Sequence, residues 1–269
     1  MEITVVIPTY RPQGYLRECL DSLACQTFPK DRFEVLVVLN GCDSPYREEI
    51  EEYISGAGSG LDIRLIHTEQ AGVSRARNMA LDLAKGRYMC FIDDDDFVSP
   101  AYLEELYAKA SEDTVVLAYP KAFHDGDPTT VPYRTEEMFI RLSVNGRQSV
   151  TKARNLLHIT CMRLIPRTVI GDRRFDTSFS VGEDTLMMFL ISDRIANVDF
   201  TSDRAVYYRR FRKDGAVSSF NASGFTFRLR NSLRLMAKYT GIFLSGIGRY
   251  HFFFYLTRLW GAIHSIVRI

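Results

Sequence analysis

A chain of 269 residues that is 46% hydrophobic and 25% charged has enough apolar material for one large domain or two small ones, which excludes a disordered or low-complexity polymer. The net charge of +1 excludes no partner by itself, but it is unevenly spread: residues 215–269 hold no Asp or Glu, so residues 1–214 sum to about −6. Five cysteines, odd in number and never spaced Cys-x-x-Cys, exclude a disulfide framework and a zinc knuckle and read as reduced thiols.

The N-terminus enters a β-branched run at once, Ile3-Thr4-Val5-Val6-Ile7-Pro8, with no basic or apolar leader. No signal peptide is therefore expected, and the cytoplasm is the expected compartment. Leu16, Cys19, Leu20 and Leu23 recur at helical spacing. Phe33–Leu39 predicts a second buried strand, stopped by the turn pair Asn40-Gly41. A helix carrying Ile50 and Tyr53 runs into a glycine-rich breaker over 56–60. A strand at Leu61–Ile66, a helix over Gly72–Ala84 and a strand at Arg87–Ile92 follow, the last ending in acids. Beyond it the spacing predicts a helix near Pro100–Ala110 and a strand at Val115–Tyr119. Residues 121–160 are weakly patterned apart from a helix near Glu136–Leu142. A strand at Ile159–Ile165, a helix at Glu183–Ser192 and a strand at Arg204–Arg210 close the body. Strands alternating with helices imply a mainly parallel sheet, whose ligands sit beyond the carboxyl ends of its strands. That rim holds Thr9, Asn40 and Asp93–Asp96.

Phe91-Ile92-Asp93-Asp94-Asp95-Asp96 sets four carboxylates at the end of a buried strand, and their repulsion calls for compensation. A hard divalent cation, Mn²⁺ or Mg²⁺, takes carboxylate oxygens together with those of a diphosphate, and as a Lewis acid it stabilises a nucleoside-diphosphate leaving group. The plainer reading is a solvated loop capping the helix after Ser99. Gly72-Val73-Ser74-Arg75-Ala76-Arg77-Asn78 opens a helix whose N-terminus attracts anions. Arg75 and Arg77 lie two apart and do not share a face; one is expected to meet the acid cluster or a phosphate, Arg75 being favoured for it, and Arg77 to form a surface salt bridge. Gly182-Glu183-Asp184 opens an apolar helix. Acids there serve either as dipole-stabilising caps or as a base that takes a proton from an acceptor hydroxyl.

These segments, in order and at appropriate spacing, resemble the family-2 glycosyltransferases over roughly residues 1–220. Val6-Ile7-Pro8-Thr9-Tyr10 resembles the family's opening strand, and Leu20-Asp21-Ser22-Leu23 with Gln26-Thr27 its first helix. Gly72–Asn78, Ala84-Lys85-Gly86 and Asp93–Asp96 resemble the stretch into its Asp-x-Asp motif, and Gly182-Glu183-Asp184 its second acidic motif. Tyr207-Tyr208-Arg209-Arg210 with Ser218-Ser219 resembles the segment after it.

The resemblance implies an α/β protein of the GT-A fold, with a mainly parallel central sheet flanked by helices. Residues 1–96 would form a nucleotide-sugar-binding half, 97–214 an acceptor and catalytic-base half, and 215–269 a helical extension. It implies an inverting, single-displacement, metal-dependent transfer from a nucleotide-diphosphate-sugar such as a UDP-sugar. The acceptor would be a hydroxyl of a glycan or lipid-linked molecule in bacterial surface polysaccharide synthesis. Asp95 and Asp93 would hold the metal. Asp93 and Asp94, with Pro8, Thr9, Tyr10, Asn40 and Arg75, would meet the donor, and Arg209 and Arg210 its diphosphate. Asp184 would be the base, with Glu183 as the alternative. Leu39-Asn40 stands where the family commonly has two aspartates, which weakens the implication of uridine. The Gln-x-x-Arg-Trp motif of processive members is missing, which points to single addition.

From Ser245 the tail reads as a basic, aromatic helix that arginines at 249, 258 and 268 keep from spanning a bilayer. His251, Arg258, Ser265 and Arg268 form a polar stripe, with aromatic and aliphatic residues over the rest. Such a helix suits peripheral contact with an anionic membrane through 245–269, or docking on the body or on a partner subunit of an oligomer. No phosphate-binding loop of P-loop or nucleotidyltransferase type follows the first strand, and that strand carries no phosphatase Asp-x-Asp. No nucleic-acid partner is expected. An inactive nucleotide-sugar or glycan-binding protein is the remaining alternative.

Overall fold

The computed structural model describes residues 1–213 and 223–267, so Ser218, Ser219 and Arg268 lie outside the described residues. The chain runs β1 Ile3–Thr9, α1 Gly14–Ala24, β2 Phe33–Asn40, α2 Tyr46–Ser55, β3 Asp62–Thr68, α3 Val73–Leu83 and β4 Tyr88–Phe91. It continues through β5 Phe97–Val98, α4 Tyr102–Ala108, β6 Thr114–Leu117, β7 Tyr119–His124, β8 Asp127–Val131, α5 Arg134–Ser143 and α6 Val150–Ala153. The last elements are β9 Arg163–Pro166, α7 Arg167–Ile170, α8 Glu183–Leu190, β10 Asn197–Phe200, β11 Val206–Phe211, α9 Phe225–Ser245 and α10 Phe252–Val267.

Seven strands form the central sheet in the order β10-β6-β9-β4-β1-β2-β3. All pairings are parallel except those of β9, which runs antiparallel to both β4 and β6. Every residue of β1 and β2 is buried, as a parallel strand covered by helices on both faces requires. The apolar stripe of α1, Leu16, Cys19, Leu20 and Leu23, lies in that core. All five cysteines are free thiols.

The single strand expected at Val115–Tyr119 is two. β6 stays in the central sheet and β7 enters a second, four-stranded sheet ordered β5-β11-β7-β8. β8, Asp127-Pro128-Thr129-Thr130-Val131, is exposed and polar at all but its last position, so it carries no alternation to read. The helix expected beyond Ser245 is α10, and α9 before it pairs with it as a helical hairpin. Its two arms are joined by Ser232 to Ser265 and by Thr240 to Tyr255, each 2.9 Å between hydroxyl oxygens.

Candidate active site

The acidic turn leaves the centre of the main sheet. Ile92 N–H donates to the Val6 carbonyl (3.0 Å), and Asp96 N–H closes the turn on the Asp93 carbonyl (3.1 Å). The next two residues are β5, whose pairing with β11 clamps the turn between the two sheets. The four carboxylates then divide. Asp96 is buried and accepts from the Tyr207 hydroxyl (2.6 Å) and the Arg210 amide (2.7 Å). Burial, with the charges of Asp93 and Asp95, pushes its carboxyl well above the usual range. Asp94 accepts from the Thr9 hydroxyl (2.5 Å). Burial raises it to about 7, with the Thr9 hydrogen bond opposing. Asp93 and Asp95 stay partly exposed, one against Arg77 and the other against Arg212, both at 3.2 Å. Asp95 is pushed up by burial and by the charge of Asp93, and Arg212 opposes the shift.

Arg77 is not on the surface. Its side chain is 3% exposed, and it joins the two acidic motifs. Nη1 reaches Asp184 at 2.6 Å and Glu183 at 3.3 Å, while Nη2 reaches Asp93 at 3.2 Å. The guanidinium also lies 5.4 Å from the Phe175 ring centroid. Burial alone would weaken it as a cation, but the charges of Asp184 and Asp93 outweigh burial and hold it protonated. Ser74, Arg77 and Leu81 share the buried stripe of α3, whereas Arg75 is exposed and bonds Gln70.

Asp184 also accepts from the Thr160 hydroxyl (2.7 Å), so two donors fix one oxygen. Glu183 is more deeply buried, and burial together with Asp184 raises its carboxyl against the pull of Arg77. The helix carrying both starts at Gly182, whose φ of +92° is left-handed backbone. A Cβ there would stand 2.7 Å from the Leu235 side chain of α9. The hairpin thus backs the acidic helix closely. Asn231 Nδ2 donates to the Val181 carbonyl (3.3 Å), and Phe189 of α8 packs among Tyr239, Tyr250 and Phe254.

The other residues singled out in the sequence line the same rim. Pro8 and Thr9 end β1 in buried positions, and Tyr10 beyond them is exposed. Asn40 is engaged at both ends of its amide: Nδ2 donates to the Thr9 carbonyl (2.7 Å), and Oδ1 accepts from Gly72 N–H (2.9 Å). It ties the end of β1 to the start of α3. An aspartate in its place would lose the donor and set a buried carboxylate against a carbonyl. Asn40→Asp is therefore expected to cost about 2–3 kcal/mol in urea unfolding; a stability equal to wild type would refute this bracing role. Arg209 donates to the Tyr133 hydroxyl (3.0 Å). Arg210 is nearly buried and committed to Glu18, Asp125 and the Asp95 carbonyl.

Sequence reasoning missed Arg212 and Thr160, and it named Tyr207 without a role of its own. Arg212 lies just beyond β11, and its guanidinium and that of Arg210 both sit over the Tyr15 ring, at 5.3 and 4.6 Å from the centroid. Among the described residues no three His, Cys, Asp or Glu side chains converge as an all-protein metal cage. A Mg²⁺ or Mn²⁺ ion needs only one or two carboxylates when a diphosphate completes its shell. Asp95 and Asp93 fit that demand: both are partly exposed, and the Asp95 carboxyl, raised by burial and then by the charge of Asp93, would be stabilised in its charged form by a divalent ion.

A family model described as "Glycosyl transferase family 2" matches residues 4–174. The poly(ribitol-phosphate) beta-N-acetylglucosaminyltransferase TarS of Staphylococcus aureus is 28% identical over 225 residues, covering 81% of this chain and 37% of TarS. The chain spans well under half the length of the curated relatives it matches first. The crystal structure of S. aureus TarS 1-349 in complex with UDP-GlcNAc superposes with a TM-score of 0.77 at 23% identity, covering 98% of this chain and 72% of that one. The mannosyltransferase PcManGT from Pyrobaculum calidifontis, in complex with GDP-Man and Mn²⁺, superposes with a TM-score of 0.63 at 17% identity, covering 98% and 73%. These structural likenesses are likenesses of fold.

Proposed function

The chain belongs to glycosyl transferase family 2 and has the GT-A fold, and from that premise we propose that it transfers a sugar, with inversion, from a UDP-sugar to a hydroxyl of a surface or cell-wall glycan. The observation that carries this reading is the Arg77 bridge, which ties the acidic turn and the Glu183-Asp184 pair into one ion network. TarS, crystallised with UDP-GlcNAc, supports the choice of a uridine donor, and its poly(ribitol-phosphate) acceptor supports a polyol or glycan hydroxyl.

On this reading Asp95 and Asp93 hold Mn²⁺ or Mg²⁺, as PcManGT was crystallised with Mn²⁺. The ion, when bound, neutralises charge on the departing diphosphate. Asp184 takes the proton of the acceptor hydroxyl as that oxygen bonds the anomeric carbon. The bond from the anomeric carbon to the β-phosphate oxygen breaks on the opposite face, and its electron pair leaves with the nucleoside diphosphate. No covalent sugar–enzyme intermediate forms. Arg77 and Thr160 aim the Asp184 carboxylate, and Thr9 orients Asp94 beside the donor.

The test is a screen of nucleotide-sugars for transfer and for slow hydrolysis, with Mn²⁺, Mg²⁺ or EDTA. One donor should be consumed, with EDTA and Asp95→Ala each lowering the rate at least about a hundredfold. Turnover that survives both treatments would remove the metal from the proposal. Binding of UDP without turnover of any donor, in the presence of membrane extract as acceptor source, would favour an inactive binding protein.

A further inference from the structure

The C-terminal hairpin wears its amphipathic helix with the polar side inward. Arg258 is buried, donates to the Arg154 carbonyl (2.9 Å) and lies 4.8 Å from the Phe254 ring centroid. Ser265 and Tyr255 bond residues of α9, and Thr257 accepts from Arg154 Nε (2.9 Å). The stripe of Arg258 and Ser265 that would have faced water or headgroups in a lone helix instead holds the hairpin to the body. The outward face of α10 is left mainly apolar, with the exposed His264 stacked on Trp260 at its margin. Phe252, Phe253, Leu256, Trp260 and Ile263 fall within about a hundred degrees of one another around the helix axis. Phe253 is 64% exposed and Trp260 67%, and the neighbouring Ile247, in the turn of the hairpin, is 72% exposed. Apolar surface this continuous marks a contact with something other than water.

We propose that this face docks on an anionic lipid surface, the helix lying in the plane of the membrane with Trp260 and Phe253 among the acyl chains. Charge decides the occupant. The sequence from 215 to 269 has no acidic residue, and Arg249 is exposed beside Ile247 near Phe252, so a fixed cation sits among the apolar residues at the tip. Such a pattern matches negative headgroups over a hydrocarbon boundary. A second copy joined through the same patch by a two-fold axis would set like charges together at the rim. Length supports lying flat: no helix among the described residues is long and apolar enough to cross a membrane, and the 16 residues of α10 would extend only about 24 Å. The inference stands apart from the proposed chemistry, since none of its residues belongs to the site.

Trp260 is the sole tryptophan of the sequence, so the protein carries its own probe. The experiment is flotation with phosphatidylcholine vesicles, with and without phosphatidylglycerol, at low and high salt, while the fluorescence of Trp260 is recorded. With phosphatidylglycerol the protein should float and the emission shift to the blue. High salt should weaken binding. Phe253→Ser should lower the vesicle-bound partition about tenfold, and Arg249→Glu should remove the preference for phosphatidylglycerol. Thermal melts matching wild type would show that both variants fold, as expected for exposed positions. An emission unmoved by either vesicle would overturn the proposal. So would equal binding to both vesicles at both salts, which leaves no role for charge. A blue shift that grows with protein concentration without lipid, alongside a doubled mass by light scattering, would assign the face to a second copy instead.

Discussion

Asp184→Asn is expected to slow sugar transfer by about three to four orders of magnitude while leaving UDP affinity within a few-fold of wild type. Asparagine has the same shape as aspartate, and its Oδ1 can still accept from Arg77 and from the Thr160 hydroxyl, the two partners that fix the side chain. What it loses is the capacity to take a proton. Single-turnover transfer and calorimetric titration with UDP, run on the same preparation, separate chemistry from binding. Glu183→Gln is the companion measurement. Glu183 is the more buried of the pair, and its carboxyl is raised by burial and by Asp184. It should therefore affect stability more than rate. If Glu183→Gln abolished transfer and Asp184→Asn kept more than a tenth of it, the base would be Glu183.

The largest expected loss of stability follows from Arg77→Met. Methionine fills a similar length of space in the core but leaves Asp184, Glu183 and Asp93 facing one another without their shared cation. Removing one member of a buried ion network costs about 3–5 kcal/mol, which in a protein of this size lowers the melting temperature by roughly 10 °C. The pH dependence distinguishes this from a simple packing defect. Without Arg77 the Glu183 carboxyl, already raised in the folded protein, is raised further. A carboxyl whose folded pKa lies above its unfolded value destabilises the fold once pH exceeds the unfolded value, and the penalty grows until pH passes the folded one. The deficit of Arg77→Met should therefore be smaller at pH 5.5 than at pH 8 when both proteins are unfolded in urea. A deficit independent of pH would mean that Arg77 matters for its volume and not for its charge. Arg77→Lys should recover only part of the stability, because one ammonium cannot span three carboxylates as a planar fork does.

The alternation of strands and helices through Phe91 was legible because each element carries its own period: buried β-branched runs for β1 and β2, a helical stripe for α1. The rim position of the acidic turn followed from that alternation alone. The second sheet was not legible. β5 is two residues long, β8 is polar and exposed, and β7 leaves one sheet for the other at Ala118 without any break in the apolar run. Arg77 was misjudged for another reason. Its partners Glu183 and Asp184 lie more than a hundred positions away, so no local spacing announces them. Its buried stripe with Ser74 and Leu81 was the available signal, and a serine, an arginine and a single leucine do not read as a core face. Of the tail's expected polar stripe, Arg258 and Ser265 turn inward while His251 is exposed and Arg268 lies outside the described residues, since periodicity says which residues share a face and is silent on which face turns inward.

The backing of α8 by α9 and α10 has a consequence for the order of synthesis. A chain emerging from the ribosome makes β1 through β4 first, and the acidic turn is clamped only when β11 arrives. The helices that pack on Phe189 and abut Gly182 come later still, more than forty residues after Asp184. On the proposed roles, an unfinished chain would carry its donor-side acids while the base remained unsupported. It could occupy a nucleotide-sugar but not spend it. Activity in such a protein is acquired late, and an interrupted product would be idle rather than a wasteful hydrolase.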